Sequence, residues 1–289
     1  MRQPPYLSCS VLASLALLSC GSSAPAARSP EAGAAEPVAH APGKTQAGVT
    51  SDCATYATLT HGSLQFMNNA WAREKAEGPF EQCVLRRGAG AQEQFGWTWA
   101  WPGFEPLGYG FPEIIFGWKP WSEASTDARL PIQISALKEL SLRYSVSTEW
   151  DGKISLSAAV WLTSSGQATA PNPQAIANEI AIWLDYPEGA TPSGERAGSL
   201  AVEGIDYELW HTPNHGDRGN GQGWDLYYLK GPGQQLQGTL KLERFLEAMQ
   251  GRKLISADHF VASVEFGNEV MSGSGTTWVS DFDVAVTPR

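Results

Sequence analysis

The stretch Ile154-Ser155-Leu156-Ser157-Ala158-Ala159-Val160-Trp161-Leu162-Thr163 alternates with a period of two. Ile154, Leu156, Ala158, Val160 and Leu162 share one face; Ser155, Ser157, Ala159, Trp161 and Thr163 share the other. Residues two apart in a strand point the same way, so the segment predicts a β-strand with one apolar and one mixed face. Its neighbours read alike. Leu142, Tyr144 and Val146 oppose Arg143, Ser145 and Ser147, and Ile180, Ile182 and Leu184 oppose Glu179, Ala181, Trp183 and Asp185. Phe260, Ala262, Val264 and Phe266 oppose Val261, Ser263, Glu265, Gly267 and Glu269, and Trp278–Val286 reads as a last strand. One segment has helical spacing: Leu240, Leu242, Phe245, Leu246 and Met249 fall on one side, with Gly251 to end it. Many short strands and one helix predict an all-β, single-domain jelly-roll sandwich of two curved antiparallel sheets.

Composition agrees. Twelve Trp, 30 Gly and 19 Pro in 289 residues disfavour long helical bundles. So many indoles suit a wide aromatic core, a stacking cleft for a flat ligand, or both. The net charge of −10 argues against a nucleic-acid partner, since binding phosphates needs a concentrated basic face.

The N-terminus reads as targeting rather than fold. Leu7–Ser19 is apolar but too short to span a bilayer, and it ends in Leu17-Leu18-Ser19-Cys20. This resembles a bacterial lipobox, which implies a signal over residues 1–19 and lipidation at Cys20; ordinary cleavage with free secretion is the alternative. Residues 20–50 are rich in Ala, Pro and Gly, have no apolar period and read as a flexible tether. The globular domain is expected over 51–289. Apart from Cys9 and Cys20, only Cys53 and Cys83 remain, and in an exported chain they read as one disulfide. Closing a loop of about 30 residues is worth roughly 3 kcal/mol on the chain-entropy account. A site of two Cys and one His is the alternative, but the five His residues form no HExxH and the cysteines no CxxC. No metal and no organic cofactor are expected.

A strand with an apolar face and a second face of Glu, Trp, Asp and Ser builds a cleft. Sugar rings suit such a face, because their C–H faces stack on indole while hydroxyls bind carboxylates and amides. Glu179 and Glu269 each lie on the expected cleft face. Two carboxyls flanking a glycosidic bond, one ionised and one protonated, are the minimal machinery of a glycosidase. The alternative is a pair of solvated strand residues.

The wording of the chain adds to this. Asn178-Glu179-Ile180-Ala181-Ile182-Trp183-Leu184 resembles the nucleophile strand of glycoside hydrolase family 12. Phe266-Gly267-Asn268-Glu269-Val270-Met271-Ser272-Gly273-Ser274-Gly275 resembles its acid/base strand, and Met67-Asn68-Asn69-Ala70-Trp71 its early Asn-Asn-x-Trp element. Cys53 and Cys83 bracket that element as the family's disulfide does. Tyr109-Gly110-Phe111-Pro112-Glu113-Ile114-Ile115-Phe116-Gly117 resembles a strand of bacterial members. The matches follow the family order over about residues 51–287.

The resemblance implies a retaining endo-β-1,4-glucanase or xyloglucanase acting on β-glucan, with Glu179 as nucleophile and Glu269 as acid/base. It implies that Asn69, Trp71 and Trp183 bind or stack sugars on the glycone side. Trp161 and Trp99 join the expected substrate-binding set from their strand faces; Trp97, Trp99 and Trp101 share one face, either a stacking ramp or core. Three departures stand out. Ala159 occupies the position of a family Asp beside the nucleophile, Ala181 that of a Met, and Val270-Met271 that of Pro-Phe. Trp118 and Trp121 beside Pro120 read as packing residues, and His211, Asn214, His215 and Asp217 as a solvated loop. Asp185 and Glu265 either bind hydroxyls, tune a pKa or simply meet solvent. The expected protein is a monomer at the cell envelope or secreted, with membrane contact only through a lipid anchor. Its rivals are a related jelly-roll xylanase and a β-glucan-binding lipoprotein that has lost turnover.

Overall fold

A computed structural model describes residues 48–216 and 223–289; Cys20 and Asp217 lie outside the described residues. The strands in chain order are β1 (Val49–Asp52), β2 (Thr58–His61), β3 (Leu64–Met67), β4 (Glu81–Arg87), β5 (Gln94–Trp101), β6 (Glu113–Gly117), β7 (Ile132–Gln133) and β8 (Leu137–Trp150). They continue as β9 (Lys153–Thr163), β10 (Ile176–Asp185), β11 (Glu195–Val202), β12 (Ile205–His215), β13 (Trp224–Lys230) and β14 (Gln237–Lys241). The helix α1 (Leu242–Gly251) and the long strand β15 (Phe260–Pro288) complete the chain. Strand β1 straddles the domain boundary expected at residue 51 and pairs with β4.

Two layers share β15. Its second half lies between β5 and β8, in the order β1-β4-β5-β15-β8-β14. Its first half lies between β6 and β9, in the order β2-β3-β6-β15-β9-β10-β13-β12-β11, with β7 beside its start. One pairing departs from the antiparallel expectation. The chain leaves β10, crosses to the far edge as β11 and returns by antiparallel neighbours, so β13 arrives parallel to β10.

The predicted alternation places the core. Ile180, Ile182 and Leu184 of β10 join Leu156, Ala158 and Val160 of β9 and Leu142, Tyr144 and Val146 of β8 in one buried cluster. In β15 the phase changes. A register shift between Val261 and Ser263 turns Val261 to the core and leaves Ala262 with Trp118 and Trp161, against the simple alternation from Phe260. The helix buries Leu242, Phe245, Leu246 and Met249, with Phe245 edge-on to Tyr207 at 5.0 Å. Leu240 belongs instead to β14, where it pairs with Leu142. Trp97, Trp99 and Trp101 all point into the core, and Trp99 is 1% exposed. Trp99 is therefore a core residue and not the stacking residue expected; its truncation would cost about 3–5 kcal/mol of stability.

Candidate active site

The faces of β9, β10, β13 and β15 turned away from the core form the floor of a cleft of about 1140 Å³. Register aligns them. Glu179 pairs with Trp161 and Leu226; Ala181 pairs with Ala159 and Tyr228; Ala159 pairs in turn with Glu265. These side chains, with Glu269 further along β15, all line the cleft. The period of two read in the sequence is thus what gathers them.

Glu179 accepts a hydrogen bond at Oε2 from Trp224 Nε1–H, 3.0 Å away. Burial pushes its carboxyl up to about 7, against the pull of the Trp224 bond and the Lys119 charge; the Glu265 charge adds to the rise. Burial raises Glu269 further, to about 8, and the nearby Glu179 charge contributes. The two sites differ in kind: Glu179 has a Trp224 hydrogen bond and the Lys119 charge to favour its ionised form, whereas both influences on Glu269 favour its neutral form. Gly108, with φ +90°, lies against the Glu269 carboxyl, leaving no room for a Cβ there.

The other expected residues divide. Asn69 reaches the cleft but spends its Nδ2–H on Glu113 Oε1 at 2.9 Å. Trp71 lines the cleft with 38% of its surface exposed, and Lys75 sits 5.6 Å from its ring centroid. Trp183 lines the cleft edge-on to Tyr228, with centroids 5.8 Å apart. Trp161 lines it too, and its Nε1–H donates to Glu265 Oε2 at 2.9 Å. Asp185 turns away, buried and accepting from Trp150 Nε1–H at 3.1 Å. Cys53 and Cys83 form a disulfide.

Trp121, read as packing, is instead 45% exposed on the cleft wall, while Trp118 is core as expected. The expected solvated loop is instead the end of strand β12, held by its pairing with β13: His211, Asn214 and His215 all lie in the strand, His215 lines the cleft, and His211 bonds Asp225 at 3.1 Å and stacks on Tyr227. Sequence reasoning missed Trp224, Tyr228 and Lys119. Trp224, Leu226 and Tyr228 alternate with Asp225, Tyr227 and Leu229, a signal that would have found the first two. Lys119 lies in a segment without period.

Residues 62–287 match the family described as Glycosyl hydrolase family 12. Endoglucanase S of Pectobacterium parmentieri is 23% identical over 221 residues, 76% of this chain and 80% of that protein. A probable xyloglucan-specific endo-β-1,4-glucanase A of Neosartorya fischeri is 24% identical, covering 84% and 94% of the two chains. Among solved structures, a family 12 xyloglucanase from Bacillus licheniformis superposes with a TM-score of 0.73 at 24% identity, covering 82% of this chain and all of that one. An endoglucanase from Rhodothermus marinus gives 0.68 at 18%, covering 83% of this chain and all of that one. The family match spans most of the chain and includes both cleft glutamates, and the neighbours share its fold: the chain belongs to glycosyl hydrolase family 12.

Proposed function

We propose that the protein hydrolyses the backbone of β-1,4-glucans, xyloglucan among them, by a retaining double displacement. Ionised Glu179 attacks the anomeric carbon while protonated Glu269 donates to the leaving oxygen. A covalent glycosyl-enzyme results. Glu269, now ionised, takes a proton from water, which attacks the same carbon and frees Glu179. Trp71 and Trp183 stack glucosyl rings on the glycone side. The observation that carries this reading is a pair of carboxyls, one of them held by Trp224, on the floor of one aromatic-lined cleft. The names of the relatives, endoglucanase and xyloglucan-specific glucanase, support the substrate class.

The test joins reducing-end release and product NMR. On xyloglucan, carboxymethyl-cellulose, barley glucan and xylan, release is expected from the glucans with retained anomeric configuration. Glu179→Gln should abolish it, and Glu269→Gln should hurt poor leaving groups far more than activated aryl glycosides. Inversion, or near-native turnover in Glu179→Gln, would overturn the assignment. Ala159, where relatives are expected to carry Asp, favours a second reading as a glucan-binding protein without turnover. Binding to all four polymers with release from none would establish it.

The Cys53–Cys83 disulfide supports export from the reducing cytoplasm. Anchoring at Cys20, ahead of a tether over 20–50 and a hydrolase domain over 51–289, completes the proposal. Fatty-acid labelling that persists without Cys20 would refute the anchor.

A further inference from the structure

A second charge cluster lies beside the nucleophile, and no step of the double displacement uses it. Lys119 Nζ is 2.7 Å from Glu265 Oε2 and 3.1 Å from Glu113 Oε1. Lys119, Glu113 and Glu265 are all buried, and Lys119 and Glu265 line the cleft. Buried ions lose most of their hydration, and apolar side chains of similar volume often serve stability as well or better. Three ionisable groups in this place therefore point to a task other than stability.

Geometry connects them to Glu179. Glu265 stands directly across from Ala159, whose methyl leaves little between β15 and β10. Trp161 donates its Nε1–H to Glu265 and meets the Trp224 ring edge-on, with centroids 5.6 Å apart; Trp224 in turn donates to Glu179. Trp121 stands edge-on to both indoles, 5.1 Å from Trp161 and 6.1 Å from Trp224. Lys119 lies 5.7 Å from the ring centroids of Trp121 and of Trp161. Ser263 Oγ donates to the other Glu265 oxygen at 3.1 Å, so that carboxylate has little freedom.

We propose that the Lys119–Glu265 pair is a positioning device for the nucleophile, fixing through Trp161 and Trp224 where the Glu179 carboxylate sits and supplying the local field in which it works. The inference rests on Glu179 being the nucleophile. The titratable groups that share the cleft with it are Glu265 and Glu269 of β15, Lys119 after β6, Tyr228 of β13, His215 of β12 and Tyr56 before β2, with Glu113 of β6 beyond Lys119. Burial raises the Tyr228 phenol and lowers the His215 imidazole, so both are neutral near pH 7. Burial and the Glu265 charge push the Glu113 carboxyl well above its ordinary value. Burial acts on Glu265 too, but the Lys119 charge and the hydrogen bonds carry it below its ordinary value. Lys119 and Glu265, paired at 2.7 Å, both act on Glu179. The first favours its ionised form and the second opposes it.

Glu265→Gln keeps an acceptor for Trp161 and removes the negative charge. The acid limb of kcat/KM against pH should move down by about half a unit. Lys119→Met removes the cation and should move the limb up by about as much. A purely structural role gives no such pair of opposite shifts. Carbon-13 NMR of the glutamate carboxyls reads the same titration without turnover, the Glu179 signal being the one lost in Glu179→Gln. If Lys119→Met does not fold, Glu265→Gln alone decides. A double-mutant cycle between Glu265→Gln and Trp224→Phe should show coupling in kcat of about threefold or more. An unmoved limb, or shifts of the same sign, with Glu179→Gln inactive, would overturn the device and leave the nucleophile standing. Near-native turnover in Glu179→Gln would overturn the nucleophile itself.

Discussion

Glu179 and Glu269 carry the same carboxyl on the same cleft floor, and their neighbours set them apart. Burial raises both carboxyls, but Trp224 and Lys119 pull Glu179 back toward its ionised form, while the Glu179 charge adds to the rise of Glu269. A bell-shaped kcat/KM profile follows, with limbs at about 7 and about 8 that belong to the coupled pair. Stability carries the same signature with a definite sign. A carboxyl raised from 4.5 to about 8 in the fold lends stability that is whole below 4.5 and is lost as pH rises through about 8. Glu269→Gln should therefore raise the melting temperature relative to the parent at pH 7 and above. The difference should vanish below about pH 4.5; a constant difference at all pH values would contradict the cause given for the shift. Ala159→Asp would place a third carboxyl between Glu265 and Glu179, so the acid limb should move to higher pH.

Elements bring these residues into use. The turn from β5 to β6 lays Gly108 on the Glu269 carboxyl, and its φ of +90° suits glycine. Gly108→Ala would push that carboxyl aside and strain the turn by about 1–2 kcal/mol. The expected result is a kcat about tenfold lower or worse in a protein that still melts cooperatively; unchanged kcat would show that Glu269 needs no such seat. Trp71 lies beyond β3 on the cleft rim, away from the core. Trp71→Ala should weaken kcat/KM by roughly 1–3 kcal/mol while the fold persists. A variant that unfolds would place Trp71 among the packing residues.

At the scale of the molecule, β15 ties both layers together, and the disulfide ties the end of β1 to β4 across 30 residues that include β2 and β3. Reduction removes about 3 kcal/mol of constraint on the unfolded chain, so melting should fall by about 5–10 °C without loss of sheet signal. Local pattern determined much of this protein. Period-two runs specified strands and faces, and with them the positions of Glu179, Trp161, Trp183 and Glu269 on one floor, because side-chain direction in a strand follows parity alone. The same parity put Trp97, Trp99 and Trp101 on one face, yet it holds no information on which face meets the other sheet; Trp99 went to the core for that reason. Tertiary structure also decided the shift at Val261, the exposure of Trp121, and the meeting of Lys119 with Glu113 and Glu265. Those contacts join residues 113, 119 and 265 through strand register and a connecting segment without periodicity. Sequence neighbours fix the direction of a side chain, but only the folded sheets fix what stands opposite it.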